Sequence, residues 1–149
     1  MDRLLRRRPF QPGASGRDFA LSLISNLRLS ASATVTVFGA AEAADPEYDQ
    51  AGPARVKALV LVKAPAWPLG PGDVEAGLAS AQRAVALRPQ YPPNVLALAE
   101  ALAKSGDTHG AEDAYRHAAD LSQALPPSRD REDWLREADQ ALGRSPPSR

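Results

Sequence analysis

The sequence predicts an all-α fold, and three observations lead to that prediction. Apolar residues recur at steps of three and four along most of the chain, which is the period of a helix with one buried face. The 149 residues include only three Phe, three Tyr and two Trp. Small side chains must therefore fill much of the core, and alanine favours helices that pack closely. Proline, glycine and aspartate punctuate the periodic segments, where helices would begin and end.

One domain of about seven helices, residues 17–144, is expected between a basic lead, 1–16, and a disordered tail, 145–149. The lead carries four arginines and one aspartate between Met1 and Pro9. It could be a solvated tail, a nucleic-acid arm or the start of a targeting peptide. The arginine run is short and lacks interleaved aromatic residues, which favours a flexible tail.

The first helix is expected near 17–29 and the second over about 32–44. The residues 34–37 alternate threonine and valine, so a strand is the rival interpretation for the second segment. Apolar residues continue beyond them at helical spacing, and Asp45 with Pro46 provides a stop. These features favour a helix over 32–44.

A third helix should run from about Pro53 to Lys63, because proline suits the first turn of a helix. Asp73 is a favourable N-cap for a fourth helix, which should end at Leu87 before a proline. Between these two helices lies the stretch 64–72, which is rich in proline and glycine.

The fifth helix should open at Pro92 and end at a turn containing Gly106. A sixth helix is expected over about 108–124. Two prolines then interrupt the chain, and Asp130 is the expected N-cap of a seventh helix, 130–143.

The segment from Pro92 to Leu125 forms one unit of helix, tight turn and helix, and it resembles a tetratricopeptide repeat (TPR). The positions that match the family pattern are Val95, Leu98, Ala99, Leu102, Ala111, Tyr115 and Ala118. The family's closing proline is replaced by Gln123, and Pro126 comes slightly late. The wider sequence is similar to bacterial TPR proteins of largely unassigned role.

Two earlier units match the pattern less completely. The middle unit is about nine residues longer than the ideal repeat, and the surplus falls in the long turn 64–72. Lys57 stands where the family has an apolar contact. The matching positions in the middle unit are Gly72, Gly77, Ala81, Ala84 and Pro89, and those in the first unit are Phe38, Ala41 and Pro46. The resemblance implies repeats at about 15–48, 51–91 and 92–125, closed by the helix 130–143 as a cap.

A TPR-like stack implies a non-enzymatic adaptor or scaffold that binds a peptide or a partner helix in its concave groove. Carried over position by position, the groove would be lined by Arg55, Leu59, Val62, Leu96, Glu100 and Ala103. Arg55 and Glu100 would be the polar contacts. The alternative is a homo-oligomeric building block, in which one copy packs on the next.

An enzyme is the least favoured interpretation, and no cofactor is expected. The chain has no cysteine and two histidines. His109, Asp113 and His117 follow one another at four-residue steps and could hold a metal ion. The neighbouring alanines are the packing positions, so this face should be solvated. Gly70 to Gly72 is no phosphate loop, because it lacks a following Lys-Ser pair and a preceding strand.

Charge and hydropathy limit the partners. The 18 basic residues balance 18 acidic ones, so no general field attracts nucleic acid. No stretch approaches the roughly 18 apolar residues of a membrane span. We expect a cytoplasmic protein, or a periplasmic one if the true N-terminus lies upstream.

The stretch 64–73 could be a linker, a polyproline ligand or an enlarged turn, since its prolines spell P-x-x-P twice. The repeat spacing favours a turn with both ends held by helices. Trp67 would either fill the space under this turn or project as an anchor for another chain. Trp134 lies on the apolar stripe of the seventh helix, where core packing is favoured over a partner contact.

Overall fold

A computed structural model of the chain describes residues 31–66 and 69–143. Trp67, the predicted helix near 17–29, the basic lead and the tail lie outside the described residues. The described residues form six α-helices: α1 (Ala31–Ala44), α2 (Tyr48–Lys63), α3 (Val74–Leu87), α4 (Pro92–Ser105), α5 (Thr108–Gln123) and α6 (Arg129–Ala141). Consecutive helices pack against each other, most extensively α2 on α3 and α4 on α5. The prediction of an all-α fold of stacked helix pairs is confirmed.

Helix α1 contains the segment that could have been a strand. Thr34 to Val37 are helical, as predicted. Val35 and Phe38 pack against the buried Val56 and Val60 of α2. Burial of one face against α2 therefore outweighs the β propensity of the Thr-Val alternation.

Helix α2 begins with an unusual turn. Asp49, Gln50 and Ala51 have left-handed φ angles of 47°, 57° and 64°, and the regular helix follows with Pro53 in its first turn. Three such residues in succession are strained, at about 1 kcal/mol each, so other contacts must hold them. From Ala51 to Val62, every residue of α2 except Lys57 is buried.

The next three helix starts follow the predicted signals. The Asp73 carboxylate accepts a hydrogen bond of 2.9 Å from the Ala76 N–H and caps α3, as predicted. Two prolines open α4. Asp107 caps α5 by accepting a 2.9 Å hydrogen bond from the Gly110 N–H, after Gly106 has reversed the chain with a φ of 92°.

The predicted N-cap of the last helix is wrong. Ser128 caps α6, because its hydroxyl accepts a hydrogen bond of 3.1 Å from the Arg131 N–H. The helix therefore begins at Arg129, and Asp130 lies inside its first turn, where a carboxylate still interacts favourably with the helix dipole.

The core is built mainly from small side chains, as the composition predicted. Its centre, where α2, α3 and α4 meet, consists of Ala58, Val62, Ala81 and Ala101 with Leu78 and Leu98 packed around them. A second cluster joins α4, α5 and α6 through Val95, Leu96, Ala118, Ala119 and Ala138. Alanine at these positions lets the helix axes come close together.

The proline-rich stretch is an enlarged turn between α2 and α3. The Gly72 N–H donates a 2.8 Å hydrogen bond to the Pro65 carbonyl, and the Asp73 N–H donates a 3.0 Å bond to the Leu61 carbonyl. A Cβ on Gly72 would collide with the Ala64 carbonyl, which explains why glycine is required at this close approach.

None of the helices in the described ranges has both the length and the hydropathy that a membrane span requires.

Candidate functional site

Four of the six predicted groove residues are buried instead of lining a groove. Arg55 is only 1% exposed. The others in the core are Leu59, Val62 and Leu96. The three residues on α2 are buried because α1, α3 and α4 cover that helix together, and Leu96 is buried because it packs in the cluster that joins α4 to α5 and α6. This differs from the expectation carried over from the TPR pattern, in which the first helix of each pair presents these positions on an open face.

Arg55 holds the left-handed turn at the start of α2. Its Nη1 donates hydrogen bonds to the Gln50 carbonyl (3.2 Å) and the Asp49 carbonyl (3.3 Å). Its Nη2 donates to the Asp49 carboxylate at 3.0 Å. The Asp49 and Gln50 carbonyls of this strained turn thus accept hydrogen bonds from a charged donor. Arg55 is a structural residue rather than a contact for a partner.

Asn94 completes this polar centre from the side of α4, and it is fully buried. Its Oδ1 accepts a 3.0 Å hydrogen bond from Arg55. Its Nδ2 lies within hydrogen-bonding distance of three carbonyls, those of Gln50 (3.0 Å), Arg88 (3.1 Å) and Ala84 (3.2 Å). One amide therefore joins the first turn of α2, the end of α3 and the start of α4.

Aromatic rings extend the polar centre to α6. The Arg55 guanidinium lies 5.2 Å from the centre of the Tyr91 ring, a cation–π distance. Tyr91 meets Trp134 edge to face, with 5.7 Å between ring centres. Burial raises the pKa of the Tyr91 hydroxyl, although the charge of Arg55 lowers it in part. Trp134 packs on the α4–α6 core, in the position that the sequence favoured.

The other two predicted groove residues remain at the surface. Glu100 forms an ion pair of 3.2 Å with Lys63, across the α2–α4 contact. Ala103 is exposed near the end of α4. On this surface Glu100 is therefore already paired with Lys63 and is not an unpaired charge that awaits a partner.

A shallow, open depression lies on a different surface. Helices α1 and α3 both pack on α2, and an open cavity of about 660 Å³ lies between them. We call it the α1/α3 cleft. It is lined by Gly39, Glu42, Ala43, Lys57, Ala76, Ala79, Ser80 and Arg83. The apolar part of the lining consists of glycine and alanine, so no long apolar side chain fills the space.

Three charged side chains meet in the cleft. Glu42 is buried, at 9% exposure. Its carboxylate forms ion pairs with Lys57 at 3.6 Å and with the Arg83 Nε at 2.5 Å. The side chain of Arg83 is 60% exposed, and no ion pair or hydrogen bond occupies its two terminal nitrogens within the described part of the chain. Two positive charges against one carboxylate leave the cleft with a positive charge.

Neither histidine lines the α1/α3 cleft. His109, Asp113 and His117 are exposed on α5, and Asp113 pairs with Arg116 at 2.8 Å. Within residues 31–66 and 69–143, no three histidine or carboxylate side chains converge as metal ligands would.

Sequence reasoning missed the cleft, although two signals for it were present. Lys57 is a lysine in the otherwise apolar part of α2, and in the structure it pairs with Glu42 in the lining of the cleft. The small residues were visible too: Gly39 and Ala43 are four apart, and Ala76 and Ala79 are three apart. The sequence alone does not show that the small residues of α1 and those of α3 line the same cavity.

No known family model matches this chain, and a search of curated proteins finds no significantly similar sequence. The fold defines the protein as an all-α assembly of stacked helix pairs, and no family is assigned to it.

Proposed function

We propose that the protein is a non-enzymatic interaction module, a TPR-like adaptor or scaffold, and that it receives a helical segment of a partner protein in the α1/α3 cleft. The observation that carries this proposal is the open cavity of about 660 Å³ between two helices whose facing side chains are small.

The small side chains that line the cleft favour a helix as the bound segment. Gly39 and Ala43 on α1, with Ala76 and Ala79 on α3, project no atom beyond Cβ. A third helix can therefore approach both walls at roughly the 8–10 Å axis separation of packed helices, with its own apolar side chains filling the space. The apolar contact would supply affinity, and the charges in the cleft would set orientation.

The walls are held in place before any partner arrives. The Glu42–Arg83 ion pair joins α1 to α3, and the Lys57–Glu42 pair joins α1 to α2. The apolar contact of Phe38 with Val56 and Val60 holds α1 against α2. A preorganised cleft loses little entropy on binding.

Site-specific photo-crosslinking tests this function. A photoreactive benzoyl-phenylalanine is placed at Ala79 in the cleft, at Ala103 on the originally predicted groove surface, and at Gln140 on α6, all exposed positions. A discrete partner protein crosslinked in the native host from position 79 alone supports the cleft. Crosslinking from 103 alone moves the binding surface to the α2–α4 side. If none of the three positions gives an adduct above the background of the protein without a photoreactive residue, the adaptor hypothesis is wrong.

A further inference from the structure

We infer that the partner segment bound in the α1/α3 cleft is an acidic helix, one that places a glutamate or aspartate side chain on Arg83. This inference rests on the proposed function and adds the chemistry of the partner to it. It starts from the imbalance of charge in the cleft, where Lys57 and Arg83 face a single carboxylate, that of Glu42.

Arg83 is the group that would recognise the partner. Its Nε forms an ion pair of 2.5 Å with the Glu42 carboxylate. Among the described residues nothing else pairs with its terminal nitrogens, and the side chain is more than half exposed. A guanidinium that is paired through Nε and has its terminal nitrogens open matches a carboxylate, which accepts two parallel hydrogen bonds.

A basic segment fits the cleft less well. Glu42 is already paired with two cations and is almost inaccessible, at 9% exposure. An incoming lysine would therefore meet the positive charges of Lys57 and Arg83 without a free carboxylate to bind. Like charges brought together at an interface oppose association, so the cleft selects against basic partners.

The occupant is a protein segment because the lining is mixed. Ala76, Ala79 and Gly39 offer apolar contact beside the charged groups, and an amphipathic acidic helix presents both kinds of surface together. Two cations alone are a small charge for holding a nucleic-acid backbone, whose affinity depends on many phosphate contacts.

Fluorescence anisotropy with three labelled peptides tests the inference. The probe is a helical peptide of about 16 residues, with alanine and leucine on one face and glutamates at four-residue steps beside it. The two matched peptides carry glutamine or lysine in place of every glutamate. The protein variants are Arg83→Glu, Arg83→Gln and Ala79→Trp, with Arg129→Glu as a control of equal charge change at an exposed position on α6. Circular dichroism verifies the fold of each variant.

The acidic peptide should bind the unchanged protein about tenfold more tightly than the glutamine peptide, which corresponds to one good charge-assisted contact. Arg83→Glu should remove at least that tenfold, Arg83→Gln should remove part of it, and Arg129→Glu should leave binding unchanged. Raising the salt from about 50 to about 300 mM should weaken binding, because the contact is partly exposed.

Equal binding of the acidic and glutamine peptides, tighter binding of the lysine peptide, no binding of any of the three, or no effect of Arg83→Glu overturns the inference. The proposed function is judged separately. If a neutral or basic peptide binds and Ala79→Trp blocks it, the cleft remains the binding site and only its acidic preference is wrong. If Ala79→Trp affects no peptide and position 79 gives no crosslink, the proposed function fails as well.

Discussion

The amide oxygen of Asn94 accepts a hydrogen bond of 3.0 Å from the guanidinium of Arg55, 39 positions earlier in the sequence, and both side chains are buried. Through this pair, the first turn of α2 and the start of α4 hold each other in place. The same amide also binds the Ala84 and Arg88 carbonyls at the end of α3. Three helix ends thus depend on two side chains.

Replacing Asn94 with alanine should lower the free energy of unfolding by about 2–4 kcal/mol, because it removes the buried amide's hydrogen bond with the Arg55 guanidinium and its contacts with three carbonyls, and leaves a cavity in their place. Urea denaturation followed by circular dichroism measures the change. Asn94→Asp should also destabilise, since a carboxylate keeps the bond from Arg55 but faces the Gln50, Ala84 and Arg88 carbonyls without a donor.

The exposed Gln82→Ala on α3 is the control for the asparagine variants, and it should stay within about 0.5 kcal/mol of the unchanged protein. An Asn94→Ala protein as stable as the control would mean that the polar centre contributes nothing to the fold.

Arg55→Lys should lower the free energy of unfolding by about 2–3 kcal/mol, although it keeps the positive charge. The lysine ammonium lacks the planar fork of the guanidinium and cannot reach both Asn94 and the Asp49 carboxylate. Asp49→Asn should cost less, about 1 kcal/mol, since the Asp49 side chain is 59% exposed. Thermal unfolding of the two variants at equal concentration compares them. If the order were reversed, the surface carboxylate rather than the buried guanidinium would be holding the turn.

Two glycine-to-alanine substitutions should have opposite signs. A Cβ on Gly77 would lie 2.6 Å from Val62 Cγ2 and 3.2 Å from the Ala58 carbonyl, so Gly77→Ala should destabilise by about 1–3 kcal/mol through overpacking. A Cβ on Gly39 meets no atom within 4 Å, so Gly39→Ala should stabilise α1 by about 0.5–1 kcal/mol through helix propensity. Denaturant midpoints decide the signs, and two changes of the same sign would contradict the packing of α2 on α3.

Stability should fall above pH 10 in a way that depends on Tyr91. Burial raises the pKa of its hydroxyl above the ordinary value of 10.0. The folded state therefore holds this proton more tightly than the unfolded chain does. The resulting stability is fully present below pH 10 and is lost as the pH rises through the higher pKa of the folded state.

Tyr91→Phe should change stability little at pH 7, because the ring contacts with Arg55 and Trp134 remain. Above pH 10 it should lose less stability than the unchanged protein. Urea titrations at several pH values measure the difference, and Tyr48→Phe is the matched control, since Tyr48 is 68% exposed. Parallel pH profiles for all three proteins would refute the role of Tyr91.

The sequence was sufficient for the helices because their signals are local. Asp73 as a cap, the prolines that open α4 and the turn at Gly106 all appear in the structure where they were predicted. The cap of α6 was misplaced because Ser128 and Asp130 are both good N-caps, and only the path of the chain after Pro127 decides between them.

The candidate site was less predictable because it depends on which helix faces which. Arg55 was expected at the surface, because the resemblance to TPR proteins placed it in the lining of an open groove. Its partners are Asn94 and two carbonyls of the turn at Asp49, and no spacing rule brings these groups together. The left-handed turn itself carries no glycine at its three unusual positions, so the usual signal for such a backbone was missing.

Solenoid proteins generally gain or lose helix pairs without harm, because each pair contacts only its neighbours. In this chain a cut between α3 and α4 would expose the Arg55 guanidinium to water and remove the amide of Asn94 that it binds. A shortened version for crystallisation, fusion or grafting should therefore keep the chain from Glu47, which pairs with Arg88 at 2.6 Å, through the end of α4.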